Sequence, residues 1–512
     1  MLRSAASSLG VLAPTSLLAV TPTLATTFRS ASASDIPTWD VHSQINALVH
    51  GIHVSVYESL SYYNSKFELE PMLATGYKQI NPSQLRISLR QGVKFHDGAA
   101  FNADDAKFSL ERAMPQSSNY GVYTQGIERI VKIDDYTIDI LTEGPNPVLQ
   151  RQLAELRMMD QGWAKKNKSV EPKDIKTKDE NFAHRNANGP FMLKSWEQVV
   201  KLVLVKNPAW WGRMDGNLTE IVYSPIKSDA TRVAALLSGE VDMVFDPSPA
   251  DLVKLRSAPN LEVVDGAENR TISLGMDQFR DELPGSNVKG KNPLKDVQAI
   301  SRVTMRGLSQ PTDALIAPQV NGWSKKTDTR WPYDLVAARQ QLADAGCASG
   351  FEVDFTCPNN RHINDDEICQ AVAAMWARIG VKAKLRALPL ATYFPMIQRY
   401  EASIYMRGWG VSTFDALYSL QSLVRTVGVQ GDGNCNVGRY RSPQMDALVE
   451  RIKQEVDQKS RNTLIEQALL LSHQDVSHVP LHNQVIPWAM NKNVELFHRA
   501  DNRVDMRGVR VN

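Results

Sequence analysis

The chain has 512 residues, with 58 Lys and Arg against 56 Asp and Glu, a formal net charge of +2 and 43% hydrophobic residues. One hydrophobic core does not grow to that length, so two lobes or two to three domains are expected. The near-neutral balance, without a long basic or acidic run, excludes the electrostatic footprint of a nucleic-acid-binding protein. No apolar stretch reaches the roughly 18 residues of a membrane-spanning helix.

Residues 1–25 differ from the rest: Arg3 is their only charge, the stretch from Leu9 to Val20 is small and apolar, and Thr23, Leu24 and Ala25 suit a signal-peptidase site. A cleaved secretory signal is expected there, with rival cuts at Ala31 or Ala33. No cysteine follows the apolar run, so no lipid anchor is expected.

Along the body, Leu85, Ile87 and Leu89 alternate with Arg86, Ser88 and Arg90, the period of a half-buried strand. A turn at 96–98 leads to Asn102, Asp104 and Asp105, an N-cap with acids in the first helical turn, and predicts a helix to Ala113. Further strands are expected at 136–141, 191–195 and 201–205, the last two as a hairpin. From Asp229, the spacing of Val233, Leu236 and Leu237 predicts an amphipathic helix ended by Gly239, followed by a strand over 241–245. The same alternation recurs twice. Leu335, Ala338, Leu342 and Ala345 share a helical face before Gly346, and Phe351, Val353 and Phe355 then alternate. Ile368, Val372, Met375, Trp376 and Ile379 line a helix ended by Gly380, and Val381, Ala383 and Leu385 alternate after it. Two late helices, 443–456 and 460–471, precede an extended stretch at 482–494. Helix–strand alternation of this kind argues for α/β lobes.

Cys347, Cys357, Cys369 and Cys435 lack the C-x-x-C spacing of redox or zinc sites. Unpaired buried thiols are the favoured expectation, with three full pairings left open. His473, His478 and His482 invite a metal reading, but Pro480 breaks the helix that would align them and no H-E-x-x-H pattern exists, so no metal is expected. Nor is there a G-x-S-x-G elbow, a P-loop or a dinucleotide fingerprint, and no catalytic residue or cofactor is expected.

Three segments together carry a resemblance. Residues 89–113 read LRQGVKFHDGAAFNADDAKFSLERA; residues 189–242 contain GPFMLKSW, KNPAWWG and RVAALLSGEVD; residues 332–416 contain PYDLVAARQQLADAG, GFEVDF, PNNRHINDDEICQAVAAMW, IGVKAKLR and GWGVSTFDA. In this order and spacing they resemble the family 5 extracytoplasmic solute-binding proteins of ABC importers, a family that includes dipeptide-, oligopeptide- and nickel-binding proteins. The resemblance implies an α/β, two-lobed periplasmic-binding-protein fold (class II, cluster C-like) with a hinge and an interlobe ligand cleft. Lobe I would comprise 26–269 with an extra subdomain and the return segment 478–512, and lobe II 270–477. It further implies a periplasmic monomer, non-enzymatic, that passes a di- or oligopeptide to the permease subunits of the transporter.

A hinge of this kind closes because solute contacts both lobes, and moving it from one per cent closed to ninety-nine needs about 5.5 kcal/mol of differential affinity. Charge-assisted hydrogen bonds supply roughly 1.5 to 3 kcal/mol each, so two or three anchors suffice. By resemblance the acid after the G-W segment, Asp415, would hold a peptide's α-ammonium, and Trp409 would supply an aromatic wall. Arg361 in PNNRHIND is the candidate for the carboxylate end, since a guanidinium fork matches a carboxylate. Arg407 and Tyr393 are further candidates, and Arg407 stands where the family places a small or apolar residue. Helix capping for Asp415, core packing for Trp409 and a surface charge for Arg361 are the plain structural alternatives.

The chain departs from the pattern of the family it resembles after NPLKD, where DVQAISRVTMRGLSQP is compressed and a lobe II helix is expected to be missing near 296–311. NANGPF is shortened in the same way, which is expected to alter the turn before the Phe191 strand. The same fold carrying a metal chelate, an opine, a sugar or haem is the alternative function, and a hydrolase-like enzyme the alternative of a different class.

Overall fold

The computed structural model describes residues 26–512 apart from 37, 44–46, 116–117, 119, 173–186, 296–309, 360 and 429–431. The expected signal at 1–25 and most of the compressed segment after Lys295 lie outside the described residues. The elements follow the sequence patterns closely where alternation is strong. Gln84–Leu89 and Thr137–Thr142 pair in a four-stranded antiparallel sheet with Ala74–Asn81 and Ile127–Asp134. Helix Ala103–Ala113 begins with a capping box, in which the Asn102 side chain accepts from Asp104 N–H and Asp105 reaches back to the Asn102 N–H. Phe191–Glu197 and Lys201–Lys206 form the expected antiparallel hairpin.

Helix Asp229–Ser238 stops at Gly239, whose φ of 77° is the left-handed value that a side chain would strain. Helix Asp365–Ala377 joins the parallel strands Phe351–Pro358 and Val381–Leu388, a βαβ unit. Helices Pro443–Gln454 and Gln458–Gln474 pack with Leu420, Leu448 and Ile465 in a separate apolar cluster.

One large sheet runs through the molecule. Its path is Val381–Leu388, Phe351–Pro358, Ile404–Gly410, Leu261–Met276, His478–Asn491, Met243–Phe245, Thr27–Ser32, Glu220–Pro225, Lys201–Lys206 and Phe191–Glu197, and the short Gln310–Pro311 strand pairs with His478–Asn491. Two cores lie along it. Phe28, Trp39, Ile221, Tyr223, Ile486 and Trp488 belong to one, and Ile272, Leu274, Val353, Phe355, Trp376 and Leu481 to the other. Among the described elements, only the two long antiparallel strands, Leu261–Met276 and His478–Asn491, take part in both. The register between them slips at Ala267/Thr271 and again at Ile272/Ser273, where the strands pass from one core to the other. Pro480, paired with Ser273 beside the second slip, is tolerated for that reason, and the strand therefore starts at His478.

Cys357 and Cys369 are joined in a disulfide, which corrects the expectation of unpaired thiols. Helix Asp365–Ala377 folds back on the strand that precedes it and brings the two Cα atoms to 6.6 Å, a distance that sequence spacing does not encode. Cys347 and Cys435 are free.

A buried carboxylate fixes the N-P-A-W-W-G turn. Glu58 accepts from Trp210 Nε1 at 2.9 Å and Trp211 Nε1 at 2.7 Å and is wholly buried. Burial pushes its carboxyl up to about 7, against the smaller opposing effect of the two indole N–H groups. The folded state thus holds a proton that the unfolded chain releases above the ordinary carboxylate range. Stability is expected to be complete below that range and to fall as pH rises through about 7, by about 3 kcal/mol at most. Urea unfolding at acidic and mildly alkaline pH measures this loss. Glu58→Gln is expected to abolish it while lowering stability overall, because an amide offers one oxygen to two indole donors.

Candidate functional site

In an open α/β sheet the chain ends of parallel strands leave a crevice where loops from both sides can meet. Four charged residues converge at such a place. Strand Met243–Phe245 ends at Asp246 on one half; strand Phe351–Pro358 leads into the loop carrying Arg361 on the other; Glu268 and Arg270 stand in the slipped segment of the crossing strand. Arg270 Nε pairs with Glu268 Oε2 at 2.9 Å, and Gln484 Nε2 donates to the same oxygen at 2.9 Å.

Asp246 and Arg361 share an unusual condition. Both have exposed surface, yet the surrounding protein disfavours their charged forms. Desolvation, then the charge of Glu268, raises the Asp246 carboxyl to about 6, and Asn502 at 3.5 Å only partly offsets this. Desolvation, then repulsion from Arg270, lowers the Arg361 guanidinium from its ordinary value, and among the described residues no hydrogen bond or ion pair engages that guanidinium. Exposed but desolvated groups of opposite charge, both of which feel Glu268 and Arg270, are what a crevice produces.

The Arg361 loop is shaped from within. The N–H groups of Arg361 and His362 donate to Asp365 Oδ2 at 2.8 and 2.7 Å, and Asn364 adopts φ 57° before the helix begins. The His362 ring lies directly over Gly408, where an added Cβ would come within 2.2 Å of Cε1. A side chain at 408 would have to displace the His362 ring from the sheet. Burial, then Arg270 and Arg361, holds the His362 imidazole well below its usual range, so it stays neutral.

The other residues singled out from the sequence fall into two groups. Trp409 is half-buried, stacks on Tyr418 at 5.1 Å and 24°, and donates from Nε1 to Ser419 Oγ at 3.1 Å. Arg407 lies 4.9 Å from the Trp409 ring and donates to Cys435 O at 2.5 Å, and among the described residues no carboxylate pairs with it. Asp415 and Tyr393 are engaged elsewhere. Both Asp415 oxygens pair with Arg461 at 2.7 Å, one also caps Leu417 N–H at 3.0 Å, and Asn321 Nδ2 donates to the other at 3.0 Å, all at 1% exposure. Burial alone would raise this carboxyl, but Arg461 outweighs burial and holds it below its ordinary value. Asp415 is thus a helix cap and ion-pair partner, not a carboxylate free to grip an ammonium. Tyr393 is a core residue, packed with Met396, Ile397 and Tyr405, its hydroxyl donating to Met406 O.

Asp246, Glu268 and Arg270 escaped the sequence reading. Asp246 stands four residues past the G-E-V-D motif, and the charges of Glu268 and Arg270 interrupt an apolar run that has no clean period. A charged interruption inside an otherwise extended segment was the available signal.

Two other constellations have structural explanations. Tyr120 OH, His50 Nε2, His50 Nδ1 and Glu155 Oε2 form a hydroxyl–imidazole–carboxylate chain with links of 2.8 and 2.9 Å, further held by Arg503. All three are buried, and burial lowers His50 to about 4. A neutral imidazole walled off from solvent is not a usable base. His473 stacks on Trp331 at 5.0 Å, while His478 and His482 sit on the return strand, lowered to about 3 and 4 by burial. Among the described residues no group of three His, Cys, Asp or Glu side chains is placed to hold a metal ion.

The model of the bacterial extracellular solute-binding proteins, family 5, matches residues 68–431. The chain belongs to that family. Glutathione-binding protein GsiB of Salmonella typhimurium (strain LT2) is 26% identical over 483 residues, 91% of each chain. Heme-binding protein A of Haemophilus influenzae is 26% identical over 452 residues, 82% of this chain and 79% of that one. Among solved structures, HbpA2 of Haemophilus parasuis superposes with a TM-score of 0.80 at 21% identity over 95% of this chain and all of that one. DppA of Helicobacter pylori in complex with the peptide STSA gives 0.76 at 22% identity over 94% and 97%. The fold of this family 5 member is therefore the two-lobed periplasmic-binding-protein type. Among the described residues no helix is long and apolar enough to cross a membrane.

Proposed function

We propose that the chain is a periplasmic receptor that captures a small zwitterionic, peptide-like solute between its lobes and presents it to the permease subunits of an ABC importer. The lobes are 26–269 with 478–512, and 270–477, hinged on the slipped segments of the two crossing strands. The observation that carries this reading is a pair of exposed, desolvated charges of opposite sign, Asp246 and Arg361, both of which feel Glu268 and Arg270; in this reading they stand on opposite walls of the crevice. An ammonium held at Asp246 and a carboxylate held at Arg361 would each relieve an electrostatic cost that the solute-free protein bears. A solute carrying both ends closes the hinge because it gains contacts with both lobes. Relatives named for glutathione and dipeptide binding fit this solute class. Trp409 lines the wall beside it.

Mass spectrometry of the solute that co-purifies, followed by calorimetry with that solute, glutathione and dipeptides, tests the proposal. With Asp246 raised to about 6, its anionic form dominates above that pH and is lost below it. Affinity for an amine-bearing solute is expected to fall about tenfold per pH unit below about 6. Asp246→Asn is expected to bind weakly at all pH values and to lose this dependence. Affinity flat from about pH 5 to pH 8 in both proteins would remove Asp246 from the site.

A further inference from the structure

The loop that follows Trp409 makes a second connection between the lobes, and it uses no solute. Phe414, 3% exposed, inserts into a slot formed by Tyr63, Phe67, Leu69 and Ala154 of the opposite lobe. Its ring stacks on Phe67 at 4.4 Å and 24° and leans on Tyr63 at 5.0 Å. Tyr63 OH donates to Thr413 O at 2.9 Å, and Arg151 Nη1 approaches the same oxygen at 3.5 Å.

Two features set this contact apart from ordinary packing. Phe414 and Phe67 both occupy the left-handed region, at φ 49° and 61°, where a bulky side chain is strained, and the two strained residues stack on each other from opposite lobes. Each partner is also built without the other. Phe67 is held in lobe I by Arg499, whose guanidinium lies 5.1 Å from its ring and donates to Tyr63 O and Asn64 O. Phe414 is held in lobe II by its neighbour Asp415, locked to Arg461 and Asn321. Strain persists only where surrounding structure over-determines it, and here each lobe supplies its own constraint.

We infer that Phe414 and its slot form an aromatic clasp that biases the hinge toward the closed state independently of solute. This rests on the two-lobed receptor reading above. The clasp pins Thr413 and Phe414, in the loop that directly follows Trp409, against the opposite lobe. A receptor whose binding-competent state is already populated avoids the loss of apparent affinity that a mostly open one suffers, so breaking the clasp weakens binding in proportion to the closed population lost. It also predicts a slower release of solute.

The test uses small-angle X-ray scattering and calorimetry on the full chain, with Phe414→Ala, Phe67→Ala and Tyr63→Phe. The probe is the low-molecular-weight fraction released by unfolding the purified wild-type protein. Wild type without the probe is expected to scatter as a compact particle. Each alanine variant is expected to show a larger radius of gyration that returns to the wild-type value on adding the probe, with affinity weakened about tenfold. Tyr63→Phe, which removes only the hydroxyl, is expected to shift in the same direction by less and covers the case in which an alanine variant misfolds. If the wild type is already expanded and compacts with the probe, and the variants behave identically, the clasp is wrong while the hinged receptor stands. If no protein changes dimension under any condition, the hinged receptor fails and the clasp with it.

Discussion

Asp415→Ala is expected to cost about 3–5 kcal/mol of folding free energy, because it leaves the Arg461 guanidinium buried without its counter-charge. Against a net stability of roughly 5–15 kcal/mol the loss is severe, and denaturant melts are expected to show the cluster around Leu420, Leu448 and Ile465 failing first. Asp415→Asn keeps a capping oxygen for Leu417 but loses the charge, and should fall between. Asp415→Ala combined with Arg461→Met should recover part of the loss, since no buried charge is then left unpaired. Solute affinity of the folded fraction is expected to fall by no more than the roughly tenfold that loosening Phe414 from its slot entails. Lost binding at unchanged stability would restore Asp415 as a ligand anchor.

Arg361 presents the opposite profile. Its guanidinium has exposed surface and no partner among the described residues, so Arg361→Ala is expected to leave the melt unchanged. Loss of a charge-assisted hydrogen bond to the solute is expected to cost about 1.5–3 kcal/mol, about 10- to 150-fold in affinity by calorimetry. Arg361→Lys keeps the charge without the planar fork and should retain part of the binding, while Arg361→Glu should abolish it. Unaltered affinity in the alanine variant would move the carboxylate subsite elsewhere, with Arg270 the next candidate. Together the two substitutions separate a residue that holds the lobe from one that holds the cargo.

Strands and helices with a clean period were readable directly. Leu85, Ile87 and Leu89 alternate because one face of their sheet is buried, and Phe351, Val353 and Phe355 do so for the same reason. Gly239 and Gly380 marked helix ends because both adopt positive φ. The crossing strand Leu261–Met276 was not readable. Its charges and Gly266 break the alternation, and it is extended because it is sandwiched between Ile404–Gly410 and His478–Asn491. Gly266 lies so close to His498 that an added Cβ would come within 1.9 Å of Nδ1, an approach made by a segment over 200 residues away in the chain.

Of the crevice residues, Arg361 and Trp409 stand in recognisable motifs. Asp246, Glu268 and Arg270 do not, because only the crossing of the two long strands brings these three charges together. The Cys357–Cys369 bridge was hidden in the same way. Asp415 shows the converse: its motif was legible, but not the Arg461 that consumes its carboxylate.

Local chemistry therefore determined the elements, their caps and the family, since periodicity, turn residues and motif order are properties of neighbouring positions. The tertiary structure decided which charges remain available to a solute, because availability depends on what distant segments place against each side chain. A carboxylate reads alike in the sequence whether a guanidinium neutralises it or a crevice leaves it waiting.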